Sequence, residues 1–157
     1  MKKAYLSIMF VCLFAIGIQA QTPTTPPPAT TAGNVSRVTY WDILPGKMPD
    51  VTTFLRTHTK VILDEQVKQG LIVSYGFFTK PNTEGPGDWD LGQIITYKNY
   101  ADAIDFNAER GEKFNQIGLA HYGSADARTK ANDSLNTLRT VTSSYLVRGL
   151  TLNPMPK

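Results

Sequence analysis

The stretch Val38-Thr39-Tyr40-Trp41-Asp42-Ile43-Leu44-Pro45-Gly46-Lys47-Met48-Pro49-Asp50 decides the fold. Its first seven residues are rich in β-branched and aromatic side chains and stop at Pro45-Gly46, which predicts a strand followed by a turn. Pro49 near a first turn and Asp50 at the positive end of a helix dipole then open a helix. Val51, Phe54, Leu55, Val61 and Ile62 recur at helical spacing until Gly70 supplies a stop, so this helix spans roughly residues 49–69.

Working outward, residues 71–79 (Ile72, Val73, Tyr75, Phe77, Phe78) and 91–97 (Ile94, Ile95, Thr96) read as the second and third strands. Residues 81–87 join them as a turn-rich hairpin loop. Tyr100, Ile104, Phe106 and Phe114 predict a second helix over 100–114, broken at Gly111, and Ala127, Ala131, Leu135 and Leu138 a third over 125–138. Residues 142–150 form the last strand. The order β-α-β-β-α-(α)-β is that of an α+β, ferredoxin-like fold, a four-stranded antiparallel sheet with helices on one face. Both faces of the first two strands carry large apolar groups. One face meets the helices, and the chain has no spare helix for the other, so a second copy is the expected cover and a homodimer the expected state.

This element order, with a strand ending in Tyr40-Trp41-Asp42-Ile43-Leu44-Pro45-Gly46-Lys47 and running straight into an amphipathic helix, resembles the dimeric α/β-barrel superfamily, nearest its NIPSNAP-like and antibiotic-biosynthesis-monooxygenase-like members. The resemblance covers about residues 37–150. It implies a dimeric α/β barrel with a pocket between helix and sheet. Because the superfamily includes cofactor-free oxygenases, haem proteins, isomerases and uncharacterised members, it does not choose a function.

The N-terminal side reads differently. Lys2 and Lys3 precede an apolar run from Ala4 to Ile18, and Ala20 offers a small residue before Gln21, the pattern of a signal peptide over 1–20. The run is shorter than the about 20 residues a membrane span needs. Residues 21–36, with three consecutive prolines and many threonines, read as a linker. The folded domain is expected over 37–152 and a disordered tail over 153–157. An exported, periplasmic or extracellular protein follows. Cleavage removes Lys2 and Lys3 from the 16 basic residues, leaving 14 against 13 acidic ones and a net charge of +1. It also removes Cys12, the only cysteine, and with it thiol chemistry. Cys12 follows Met9-Phe10-Val11, which does not match the small residues ahead of a lipidated cysteine.

Few residues point to chemistry. His58 shares the helical stripe of 51, 54, 55 and 62 and is expected to face the sheet, as a ligand, as a tentative general base, or as a satisfied core histidine. Tyr40, Tyr75 and Trp89 join it as the expected lining of a pocket for a small apolar or aromatic molecule. The alternatives are a cofactor-free monooxygenase or isomerase using His58 as base, and an interaction module without a ligand. Glu65 lies one turn beyond His58 and reads as a solvated edge residue. His121 lies in a connection; with His58 and Glu65 it meets the donor count of a mononuclear site, but no close spacing supports one, so no metal is expected. No cofactor is expected either, haem on one axial histidine being the alternative. The loop Glu84-Gly85-Pro86-Gly87-Asp88-Trp89-Asp90 lacks the calcium-loop spacing and reads as solvated, with Trp89 a lid or dimer contact.

The sequence contains no P-loop, G-x-G-x-x-G, G-x-S-x-G or H-E-x-x-H pattern, which removes the enzyme classes those motifs mark. Its basic residues are scattered singly, so nucleic acid is not an expected partner.

Overall fold

The computed structural model describes residues 28–80, 85 and 88–155. The expected signal peptide and most of the hairpin loop lie outside the described residues. The elements run β1 (Thr30–Ile43), α1 (Met48–Phe54), a π-helical turn (Leu55–Thr59), α2 (Lys60–Lys68), β2 (Ser74–Thr79), β3 (Leu91–Tyr97), α3 (Tyr100–Ile104), α4 (Ala108–Tyr122), α5 (Ala125–Asn136) and β4 (Arg139–Leu152). The sheet order is β2-β3-β1-β4 with every neighbour antiparallel, the ferredoxin-like arrangement expected from the element order. It is an open four-stranded sheet; the single chain does not close into a barrel.

Several boundaries differ from the sequence reading: β2 starts at Ser74, α4 runs on to Tyr122 and so takes in His121, and three further differences have a local cause. β1 begins at Thr30, so residues 30–36 of the expected linker belong to the sheet. They pair with β4, Thr30 opposite Leu152 and Ala32 opposite Leu150, while β3 joins only from Val35. Threonine suits a strand as well as a linker, and the long partner strand decides between them. Asn153 extends the ribbon: its N–H donates to the Ala29 carbonyl and its side-chain amide to that of Pro28, 2.7 Å away. Second, the 100–122 region breaks at residues 105–107 and not at Gly111, because Asn107 accepts the Arg110 N–H and caps a new helix. Third, β4 starts at Arg139, three residues early, and a bulge opposite Tyr40–Trp41 lets the extra residue Thr142 donate to the Tyr40 carbonyl.

Alternation along the strands and the register sort the two faces. Trp41, Ile43 and Leu91 point to the helices and pack with Val51, Leu55 and Leu135 into the main core cluster. That cluster occupies one end of the sheet. Gln93, Ile95 and Tyr97 continue the helix-facing row of β3, and they are only half-buried. The opposite face carries Val38, Tyr40, Phe78, Ile94, Tyr145 and Val147, and no helix among the described residues covers it. Among the described residues no helix is long and apolar enough to cross a membrane.

Candidate functional site

The space left beyond the core cluster is a cavity of about 520 Å³ between the sheet and the helices. Trp41, Gln93, Ile95 and Tyr97 form its floor. The π turn contributes Leu55 and Thr59, and α4 contributes Phe114, Gly118 and Tyr122. A π turn winds more loosely than an α-helix, and the inward row here runs Val51, Leu55, Thr59, Leu63, with a strict spacing of four. In a regular helix such a row would drift around the axis; the looser turn absorbs the drift and keeps the row on the cavity side. Gly118 faces Arg128: a Cβ there would stand 2.9 Å from Arg128 Nη1 and push aside the end of the arginine, which with glycine in place donates to Asn115 Oδ1 at 3.0 Å.

Arg139, at the first position of β4, is the second cation on the wall. Its guanidinium carbon lies 3.7 Å from the centre of the Trp41 ring, a close cation–π stack. Its Nε and Nη1 are sealed from solvent and have no hydrogen-bond partner among the described residues. Burial without a counter-charge disfavours the cation and pulls its pKa down from 12.5 to about 10. Burial also pushes the Tyr122 phenol up. Among the described residues no aspartate or glutamate lines the cavity.

The four residues expected to share one pocket are divided among three places. Tyr40 and Trp89 lie together, ring centres 4.8 Å apart, and Phe78 packs edge-on to both. They belong to the helix-free side of the sheet, and Trp89 is half-buried there, not a free loop tip. Tyr75 is on the edge strand and donates to Asp64 Oδ1 of α2 at 2.5 Å. His58 does not face the sheet: it packs on Phe54, stacks on Tyr122 and shares a hydrogen bond with His121. The π turn that holds the 51-55-59-63 row inward puts His58 beside α4. Phe54 and Tyr122 line the cavity; His58 does not.

The residues expected to surround a haem do not share one site: Tyr40 and Trp89 lie together on the helix-free side of the sheet, apart from His58, which lies beside α4. Glu65 accepts from Gln69 and Lys68 and lines a second cavity together with His121. Among the described residues no three His, Cys, Asp or Glu side chains gather as a metal site would require. In the hairpin loop, Asp90 is structural: it accepts the Ile43 N–H at 2.8 Å and so fastens the end of β1.

Sequence reasoning missed Arg139, Arg128, Gln93 and Tyr122. A single arginine between a helix and a strand has no pattern to betray it, and only the stack on Trp41 reveals where it is.

No family model matches the chain, and no curated protein matches it. Among solved structures it is similar to a dimeric ferredoxin-like protein from an uncultured marine organism, at 12% identity over 80% of this chain and 93% of that one, with a TM-score of 0.41. It is also similar to a dimeric protein of unknown function and ferredoxin-like fold from Bacteroides fragilis NCTC 9343, at 10% identity over 74% and 95% of the two chains and a TM-score of 0.38. A third is a dimeric ferredoxin-like protein of unknown function from Thermobifida fusca, at 8% identity over 80% and 97%, with a TM-score of 0.39.

Proposed function

We propose that this chain is an exported homodimer that binds a small apolar or aromatic molecule between its helices and its sheet. The observation that carries the reading is the cavity of about 520 Å³ beside the core, walled by Trp41, Phe54, Tyr97, Phe114 and Tyr122 with a few polar groups among them. That size and that mixture of aromatic wall and sparse polar groups suit a ligand site. His58 lies outside that wall and lines a separate depression with Asp50, Thr57 and Ser134, so as a general base it would not act on a molecule held in the cavity.

The dimer rests on the helix-free face. Phe78, Tyr145 and Val147 are exposed there beside Tyr40 and Trp89, and one patch repeated across a two-fold axis covers itself. Export rests on the lysine-led apolar run and Ala20.

Native mass spectrometry of protein purified from its own host, combined with thermal shifts across a panel of aromatic metabolites, tests the binding reading. A co-purifying small molecule, or a panel member that raises the melting temperature, is the expected result. Absence of both overturns it.

A further inference from the structure

We infer that the cavity ligand is an aromatic acid whose carboxylate is held by Arg139 and whose ring lies among the aromatic walls. The inference rests on the reading of the cavity as a ligand site and names the chemistry that site selects.

Three independent features lead to it. The first is Arg139 itself. Its half-buried guanidinium lines the wall, and no carboxylate among the described residues balances its charge. The second is the sign of the wall: it holds Arg128 and Arg139 and no acidic side chain, so an anion meets attraction without repulsion. The third is the shape of the surroundings. Trp41 already fixes the plane of the Arg139 guanidinium from one side, and Phe114, Tyr97 and Tyr122 offer flat apolar surface within the same cavity.

Arg128 Nη1 is held by the neutral Asn115 amide, which leaves the Arg128 charge uncancelled; both cations favour an anion, and Arg139, against Trp41, is the one set among the aromatic walls. Guanidinium presents its N–H groups in a planar fork that matches a carboxylate. Gln93 and Asn132, also on the wall, are neutral and can meet either polarity of a ring substituent. They set no charge preference of their own.

The test compares 2-naphthoate with 2-naphthamide, which share ring and size and differ in charge, by isothermal titration calorimetry on the full chain and on Arg139→Gln. The expected result is acid binding at least about tenfold tighter than amide binding to the unaltered chain. In Arg139→Gln that preference disappears and amide affinity is retained. Equal binding of acid and amide to the unaltered chain overturns the carboxylate inference and leaves the cavity reading standing. Persistence of the acid preference in a folded Arg139→Gln overturns the role of Arg139. If neither compound binds, both readings fall. The acid–amide comparison on the unaltered chain decides the question even where the variant does not fold.

Discussion

Nδ1 of His58 lies 2.9 Å from Nε2 of His121, so an imidazole on the helical segment before α2 and one at the end of α4 share a single hydrogen bond. Such a bond needs one nitrogen bearing hydrogen and one with a free lone pair. Desolvation, followed by the neighbouring His121, holds the His58 pKa below 6.5. A histidine whose folded pKa is depressed binds its proton more readily when unfolded. Stability is therefore unaffected above the unfolded value and falls as pH drops from about 6.5 through the folded pKa. Thermal melts should show a decline over about pH 7 to 5 that His121→Phe flattens. An identical decline in both proteins would rule out the pair as its source.

Gly92 and Phe78 make a second coupled pair. They lie opposite each other in the β2–β3 ladder, and a Cβ at position 92 would run into the Phe78 ring. Gly92→Ala should cost about 1–3 kcal/mol by urea denaturation. Adding Phe78→Ala should recover much of that loss, beyond the sum of the single effects. Additive losses would mean that the ring does not occupy the space above the glycine.

Arg139→Met should stabilise the ligand-free chain. The substitution gives up a cation–π stack on Trp41 of about 0.5–2 kcal/mol, and it removes the larger cost of a desolvated, unpaired guanidinium. After allowance for partial solvent screening, a net gain of about 1 kcal/mol is expected from chemical denaturation. A loss of more than about 2 kcal/mol would show that the stack dominates.

Tyr145→Glu should divide the proposed dimer. Tyr145 is 59% exposed in the protomer and sits mid-face, opposite Val38. A charge buried against its symmetry mate is strongly unfavourable. Light scattering at micromolar concentration should give the dimer mass for the unaltered chain and the monomer mass for the variant. A monomeric unaltered chain would refute the pairing of sheet faces.

The elements were legible in the sequence because each is bounded by local chemistry: Pro45-Gly46 after β1, Gly70 after α2 and a dense apolar run in β3 all act within a few residues. The start of β1 was not legible, since residues 30–32 become strand only by pairing with residues more than a hundred positions away. The site was less legible still. Tyr40 and Trp89 do meet, but which side of the sheet they occupy depends on strand parity, and the expected pocket combined residues from opposite sides. For His58 the obstacle was the π turn: a regular stripe places residue 58 against the sheet, and no residue type in Leu55–Thr59 announces looser winding. Arg139 becomes informative only once β4 starts at that residue and lies beside Trp41.

The hydrogen bonds from Asn153 to Ala29 and Pro28 bring the two ends of the described chain to one corner. Anything attached at either end, whether a spacer, a reporter or a surface anchor, therefore departs from the same point and leaves the cavity side unobstructed by a second attachment. The two ends can also be joined by a short peptide, with new ends opened in the 81–87 connection. Such a rearranged chain would preserve every strand pairing described above.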